Sequence, residues 1–332
     1  MSAASTDAVS GLLIVDKPQG ITSHDVVSRT RRLAHTRRVG HAGTLDPMAT
    51  GVLVLGINKA TRLLTWITDH SKRYEAQVRF GVETTTEDAE GEVTSAKGCD
   101  GLDNEEIEAV LSHFRGTISQ VPSAVSAIKV NGKRAYARVR AGEDVKLEPR
   151  EVEISLLEAQ GQPRSHRVEY ALEGKSAHVN CVDLNLVVEC SAGTYIRALA
   201  RDLGNALGCG AHLISLRRTR VGEFSIDCAH TLQSLDEAAA QSGGEAPLPL
   251  TSLSEAAREM FPCLLLSEAE AGAFSHGQAP RREAGEVLRF VEEHFPGTQP
   301  GEFGPIAACR GDGEVLGLLK IIDNRFATVL VF

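Results

Sequence analysis

The chain has 332 residues, 42% of them hydrophobic and 24% charged, with a formal net charge of −9. That length allows one large domain plus a smaller one, and no stretch approaches the roughly twenty apolar residues of a membrane-spanning helix. The seven cysteines are odd in number and form no C-x-x-C pair, so neither a disulfide framework nor a zinc knuckle is expected.

The thiols are expected to be reduced and mostly buried. Residues 1–10 are small and polar, lack a basic-plus-apolar leader, and point to the cytoplasm as the expected compartment. The acidic total hides a segregated charge. Residues 1–80 carry eleven Lys/Arg against six Asp/Glu, residues 129–150 seven against three, and residues 197–220 five against one. Local basic surface matters more to a polyanion than the whole-chain sum.

In chain order, residues 11–16 (Gly-Leu-Leu-Ile-Val-Asp) read as a buried strand, closed by a Lys17-Pro18-Gln19-Gly20 turn. Thr22 or Ser23 caps a helix running to about Ala34, with Val26 and Val27 on its apolar face. A strand over 52–57, a helix over 60–68 and an alternating strand over 74–80 follow. Residues 104–114 are helical in spacing. Asn131-Gly132 signals a turn, and the basic stretch after it reads as a mobile loop or partly ordered hairpin. A strand over 182–190, a helix over 194–207 and an extended segment over 213–221 complete the first unit. Residues 236–253 look like a linker. Beyond it lie a helix near 267–276, an insertion or flexible loop over 280–304, and strands at 305–310, 314–322 and 327–332. Helices and strands mix without strict βαβ alternation, which predicts an α/β or α+β fold with a mixed sheet.

The chemistry concentrates at junctions. In His41-Ala42-Gly43-Thr44-Leu45-Asp46-Pro47-Met48-Ala49-Thr50-Gly51 the acid precedes a proline, which pushes Asp46 out of helical geometry, and glycines flank it. A carboxylate on such a turn is presented, although a plain surface Asp-Pro turn has the same local signature. His41 lies five residues before it. Tyr74 starts a strand, and Tyr195 and Arg197 open a helix after Gly193-Thr194. Taken singly, Tyr74 is equally an amphipathic packing residue, Arg197 a partner of Asp202, and His41 a backbone-bonded ring. The chain carries no P-loop, no G-x-G-x-x-G, no G-x-S-x-G elbow and no H-E-x-x-H, so energy-coupled, redox and serine-hydrolase readings lose weight and no metal is expected.

The segment 41–51 resembles the bacterial TruB family of tRNA pseudouridine-55 synthases. So do residues 11–20, Lys72-Arg73-Tyr74, residues 122–129, Gly193-Thr194-Tyr195-Ile196-Arg197 and residues 210–218, in family order across about 11–225. The resemblance implies a pseudouridine synthase fold, with a large, mainly antiparallel mixed sheet flanked by helices. It implies a catalytic domain over 11–235, a thumb insertion over 129–150, a linker over 236–253 and a small β-rich, PUA-like RNA-binding unit over 254–332. It also implies isomerisation of one T-loop uridine by base flipping, with no cofactor, metal or guide RNA. A tRNA-folding role alongside is implied too.

By motif position, Asp46 would be the nucleophile, Arg197 its partner, and Tyr74 both the surface on which the flipped base stacks and a participant in proton transfer. Tyr195 and Leu216 would line the uracil pocket, and His41 would fill or brace the vacated space. Lys133, Arg134, Arg138 and Arg140 would meet RNA phosphates. The partner is tRNA, and a monomer is expected. Alternatives are a guide-dependent dyskerin-type synthase and a non-catalytic RNA-binding protein. The sequence departs from the commoner family pattern at Val125, where many members carry Tyr.

Overall fold

The computed structural model describes residues 9–123, 129–130, 133–134, 147–172, 175–241, 248–296 and 302–332. An eleven-stranded mixed sheet forms the frame. Across it run His230–Thr231, Gly11–Lys17, Thr50–Ile57, Ala211–Val221, Lys72–Phe80, Lys175–Cys190, Arg150–Leu172 and Gly116–Gln120. Three short strands attach off this path, among them Val39–Ala42 against Thr50–Ile57. Pairing is antiparallel except at two places: His230–Thr231 lies parallel to Gly11–Lys17, and Ala211–Val221 touches Thr50–Ile57 in parallel at Arg217 and Arg218.

That second contact needs glycine. Gly51 sits at φ +99°, and a Cβ there would lie 2.1 Å from the Arg218 carbonyl oxygen. Only a residue without a side chain lets these two strands close.

Local signals set the helices. Thr22 caps Ser23–Leu33 through a capping box with Asp25, and Asp103 caps Asn104–Ser112 through one with Glu106. The predicted 60–68 helix is instead a 3-10 turn, Asn58–Leu63, running into Leu64–Asp69. Ile196–Ala206 buries Ile196, Leu199, Ala200 and Leu203 against the sheet. The strand expected over 182–190 is one arm of a long hairpin, Arg150–Leu172 with Lys175–Cys190.

One reading is corrected. Residues 280–304 are not simply a loop: Ala284–His294 is a helix, with Val287 buried and Phe290 and Val291 packed on the C-terminal core. Spacing of i, i+3, i+4 carries that stripe, and the surrounding glutamates disguise it. The segment 236–253 is anchored at both ends. Leu232–Gln241 is helical, and Thr251–Ser252 pairs with Gly11 and Leu12.

Lys129–Val130 pairs antiparallel with Lys133–Arg134, and the Asn131-Gly132 turn expected between them lies outside the described residues. The C-terminal residues build a four-stranded sheet: Cys263–Leu265, Phe303–Cys309, Val315–Ile322 and Arg325–Val331. Phe261, Ala307 and Leu318 share one core cluster with Leu12, Ile14 and Val54, so this sheet is packed onto the first.

Candidate active site

The Asp46 turn projects from the strand Thr50–Ile57 and is held from behind by buried cations. Arg218, 1% exposed, donates from Nε to the Val52 carbonyl at 2.8 Å and from Nη2 to the Gly43 carbonyl at 3.0 Å. Lys17, fully buried, donates to the carbonyls of Ile21 at 2.7 Å, Pro18 at 3.0 Å and Pro47 at 3.3 Å. The Ser23 hydroxyl donates to the Leu45 carbonyl at 3.0 Å and accepts from the Leu45 N–H at 2.9 Å. These bonds fix the backbone while leaving the Asp46 side chain 40% exposed.

Arg197 stands opposite, at the start of the helix Ile196–Ala206. Its Nε lies 3.0 Å from Asp46 Oδ2, and its own side chain is only 6% exposed. Nη1 donates to the Thr86 carbonyl at 2.8 Å and lies 3.6 Å from the buried Asp88 carboxylate. Asp88 is itself tied by the Thr86 hydroxyl and the Glu90 N–H. Arg197 therefore joins one sunken acid, Asp88, to one open acid, Asp46. Asp202, the structural partner considered for Arg197, is taken by Arg201. Asp88 lies in a Thr- and Glu-rich run with no local signature, so sequence reasoning missed it.

The register of three strands builds the floor. Tyr74 pairs with Arg218 and Val188, Lys72 with Cys190, and Ala76 with Leu216. Lys72, Tyr74 and Ala76 face the same side of their strand. Tyr74 is buried, and burial pushes its phenol upward against the opposing pull of Arg218, so the hydroxyl keeps its proton. Lys72 donates to the Thr68 carbonyl and, at 2.6 Å, to that of His70. Burial, aided by the Arg218 charge, lowers the Lys72 ammonium to about 8, and burial lowers Lys17 to about 8 as well. Gln120 clamps Tyr195 by accepting from its N–H at 2.9 Å and donating to its carbonyl at 3.1 Å.

A cleft of about 530 Å³ opens over this floor. Asp46, Tyr74, Tyr195, Arg197 and Leu216, five residues singled out in the sequence, all line it. Lys72 and Arg218 line it too. The strand alternation Lys72-Tyr74-Ala76-Val78-Phe80 carried the signal for Lys72. His41 does not line the cleft; it pairs with Leu55 in the strand Val39–Ala42, its ring edge-on to His24 at 6.0 Å. Lys133 and Arg134 are described as backbone only, and Arg138 and Arg140 lie outside the described residues. Among the described residues no group of three or more His, Cys, Asp or Glu is arranged to hold a metal ion, and no helix is long and apolar enough to cross a membrane.

Residues 31–196 match the TruB family pseudouridylate synthase N-terminal domain, and residues 197–253 the tRNA pseudouridylate synthase B C-terminal domain. The tRNA pseudouridine synthase B of Arthrobacter sp. (strain FB24) is 50% identical over 327 residues, 98% of this chain and 97% of that protein. That of Mycobacterium tuberculosis (strain H37Rv) is 44% identical over 321 residues, 97% of this chain and 95% of that protein. A chain of a Cbf5-Nop10-Gar1 complex shares the fold, with a TM-score of 0.67 at 23% identity, over 97% of this chain and 84% of that one. The chain belongs to the TruB family of pseudouridylate synthases.

Proposed function

We propose that this protein isomerises uridine 55 in the T-loop of tRNA to pseudouridine, without a guide RNA, and that Asp46 is the nucleophile. The observation that carries the reading is the half-open ion pair, in which Arg197 is buried and Asp46 remains 40% exposed in the cleft. An exposed carboxylate oriented by a guanidinium is placed to act as a nucleophile. The names of the curated relatives supply the tRNA.

The chemistry balances without a co-reactant. The N1–C1′ bond breaks, the uracil turns, a C5–C1′ bond forms, C5 releases its proton and N1 takes one up. A metal-free, cofactor-free reaction therefore suffices, and one chain supplies every group, consistent with a cytoplasmic monomer. A uridine within a folded loop must be extruded at a cost of a few kcal/mol, and stacking on an aromatic returns about 1–3 kcal/mol per base. Tyr74 takes that stacking role in this reading, Tyr195 and Leu216 wall the uracil, and His41 braces the space the nucleotide leaves. Lys133, Arg134, Arg138 and Arg140 in the 129–150 thumb meet phosphate. The unit over 254–332 is read as a PUA-like RNA-binding domain behind the 11–235 catalytic domain.

The test is direct. Purified protein is incubated with an unmodified tRNA transcript, guide RNA absent, and pseudouridine is mapped. One modified T-loop uridine is the expected result. No product under conditions that saturate binding overturns the proposal.

A further inference from the structure

We propose that Lys72 is a catalytic residue whose ammonium holds the negative charge that builds on the uracil as the N1–C1′ bond breaks. This rests on the isomerisation proposed above.

The floor of the cleft carries a charge imbalance. Lys72 and Arg218 are 6% and 1% exposed, and both line the cleft floor. Buried cations are ordinarily paired with carboxylates, because an uncompensated charge in a low dielectric is costly. Here the partners are neutral. Lys72 donates two of its three protons to the carbonyls of Thr68 and His70, and Arg218 donates to those of Gly43 and Val52. Among the described residues no carboxylate comes within ion-pair distance of Lys72. Asp69 acts on it electrostatically, without an ion pair. The depressed Lys72 ammonium, at about 8, reflects that cost, and the group is still charged at neutral pH.

An anion entering the cleft relieves this imbalance, and the position of the cations identifies it. They sit beside Tyr74 and Leu216, where the base lies in the proposed complex; of the two acids that line the cleft, Asp46 is held by Arg197, and among the described residues Asp69 makes no ion pair with either cation. The anion is therefore the base itself. When the N1–C1′ bond breaks, its electron pair stays with the uracil and spreads from N1 onto the ring oxygens, while C1′ is held by the Asp46 carboxylate. The third proton of Lys72 is donated to one of those oxygens. C5 then attacks C1′, Asp46 departs with its electron pair, C5 loses a proton and N1 gains one. Because the charge exists only after the bond begins to break, Lys72 favours the transition state over bound substrate.

The test compares wild type, Lys72→Met and Lys72→Arg in single-turnover conversion of unmodified tRNA, alongside tRNA affinity and thermal unfolding. Lys72→Met is expected to slow conversion about 10²–10³-fold, the usual cost of one such donor, with affinity unchanged, and Lys72→Arg to recover part of the rate. The decisive arm replaces the target uridine with 5-fluorouridine, whose base is the more acidic leaving group, and follows loss of the parent nucleoside. The penalty of Lys72→Met should shrink on that substrate, because a better leaving group needs less help. An equal penalty on both substrates assigns Lys72 to helix capping alone and overturns the inference, as does an unchanged rate. If Lys72→Met does not fold, the same substrate comparison is made with Lys72→Arg. Wild type that makes pseudouridine while Lys72→Met matches it rejects only this inference. Wild type that makes none rejects the functional reading beneath it.

Discussion

Arg79 and Asp183 meet across neighbouring strands, as do Arg197 and Asp46 across the cleft, yet the two pairs are built for opposite purposes. Arg79 engages both Asp183 oxygens at 2.7 Å, the Tyr170 hydroxyl accepts a further bond at 3.2 Å, and His166 lies 3.3 Å from Asp183. Every polar atom of that carboxylate is spent, and its side chain is 7% exposed. Arg197 stands with Nε 3.0 Å from Asp46 Oδ2 and also reaches Thr86 and Asp88, and it leaves the acid 40% exposed. A carboxylate with both oxygens committed fastens strands. One left 40% exposed beside a buried guanidinium is available for chemistry. The same two residue types thus serve architecture or reactivity according to how completely the acid is enclosed.

That contrast can be broken most sharply at the closed pair. Asp183→Ala strands the Arg79 charge between strands, and loss of one partner from a buried pair costs about 3–5 kcal/mol. Chemical denaturation should show a loss of that size, while the folded fraction converts tRNA at the wild-type rate. Unchanged stability would mean that Asp183 fastens nothing.

A smaller effect follows from the lysines behind the open pair. Lys17 and Lys72 titrate near 8 in the folded protein, against 10.5 for the ordinary side chain. Between those values the unfolded chain binds protons that the native state lacks, so these two groups raise stability as pH rises. The rate should move the other way, falling as pH rises through about 8 and both ammonium groups discharge. Single-turnover rates and denaturant midpoints measured from pH 7 to 9 test both signs, and a flat rate contradicts the role given to the lysines.

The legibility of this molecule in its sequence follows the same division. Turn chemistry is local, so Gly43, Asp46-Pro47 and Gly51 announced a displayed acid, and capping residues such as Thr22 announced a helix start. The partner of that acid is not local. Arg197 lies far along the chain, and it was found through resemblance to a family rather than through spacing. Asp88 and Arg218 escaped notice because their importance comes from cross-strand register and burial, which no single stretch encodes. Arg150–Leu172 was unreadable for a related reason: many of its residues are exposed, so the alternation that marks a half-buried strand is weak. Ala284–His294 was lost behind its acidic neighbours, although Val287, Phe290 and Val291 spell out the buried stripe.

The central claim, that the open carboxylate is the nucleophile, is tested by Asp46→Asn. The substitution keeps the size of the side chain and removes its charge. Pseudouridine formation on an unmodified tRNA transcript is measured beside wild type, with tRNA affinity and thermal unfolding recorded on the same preparations. The account predicts a folded protein that binds tRNA and loses turnover by on the order of 10⁴-fold or more, the scale seen when a nucleophile or its essential partner is removed. Appreciable turnover by folded, tRNA-binding Asp46→Asn would contradict it.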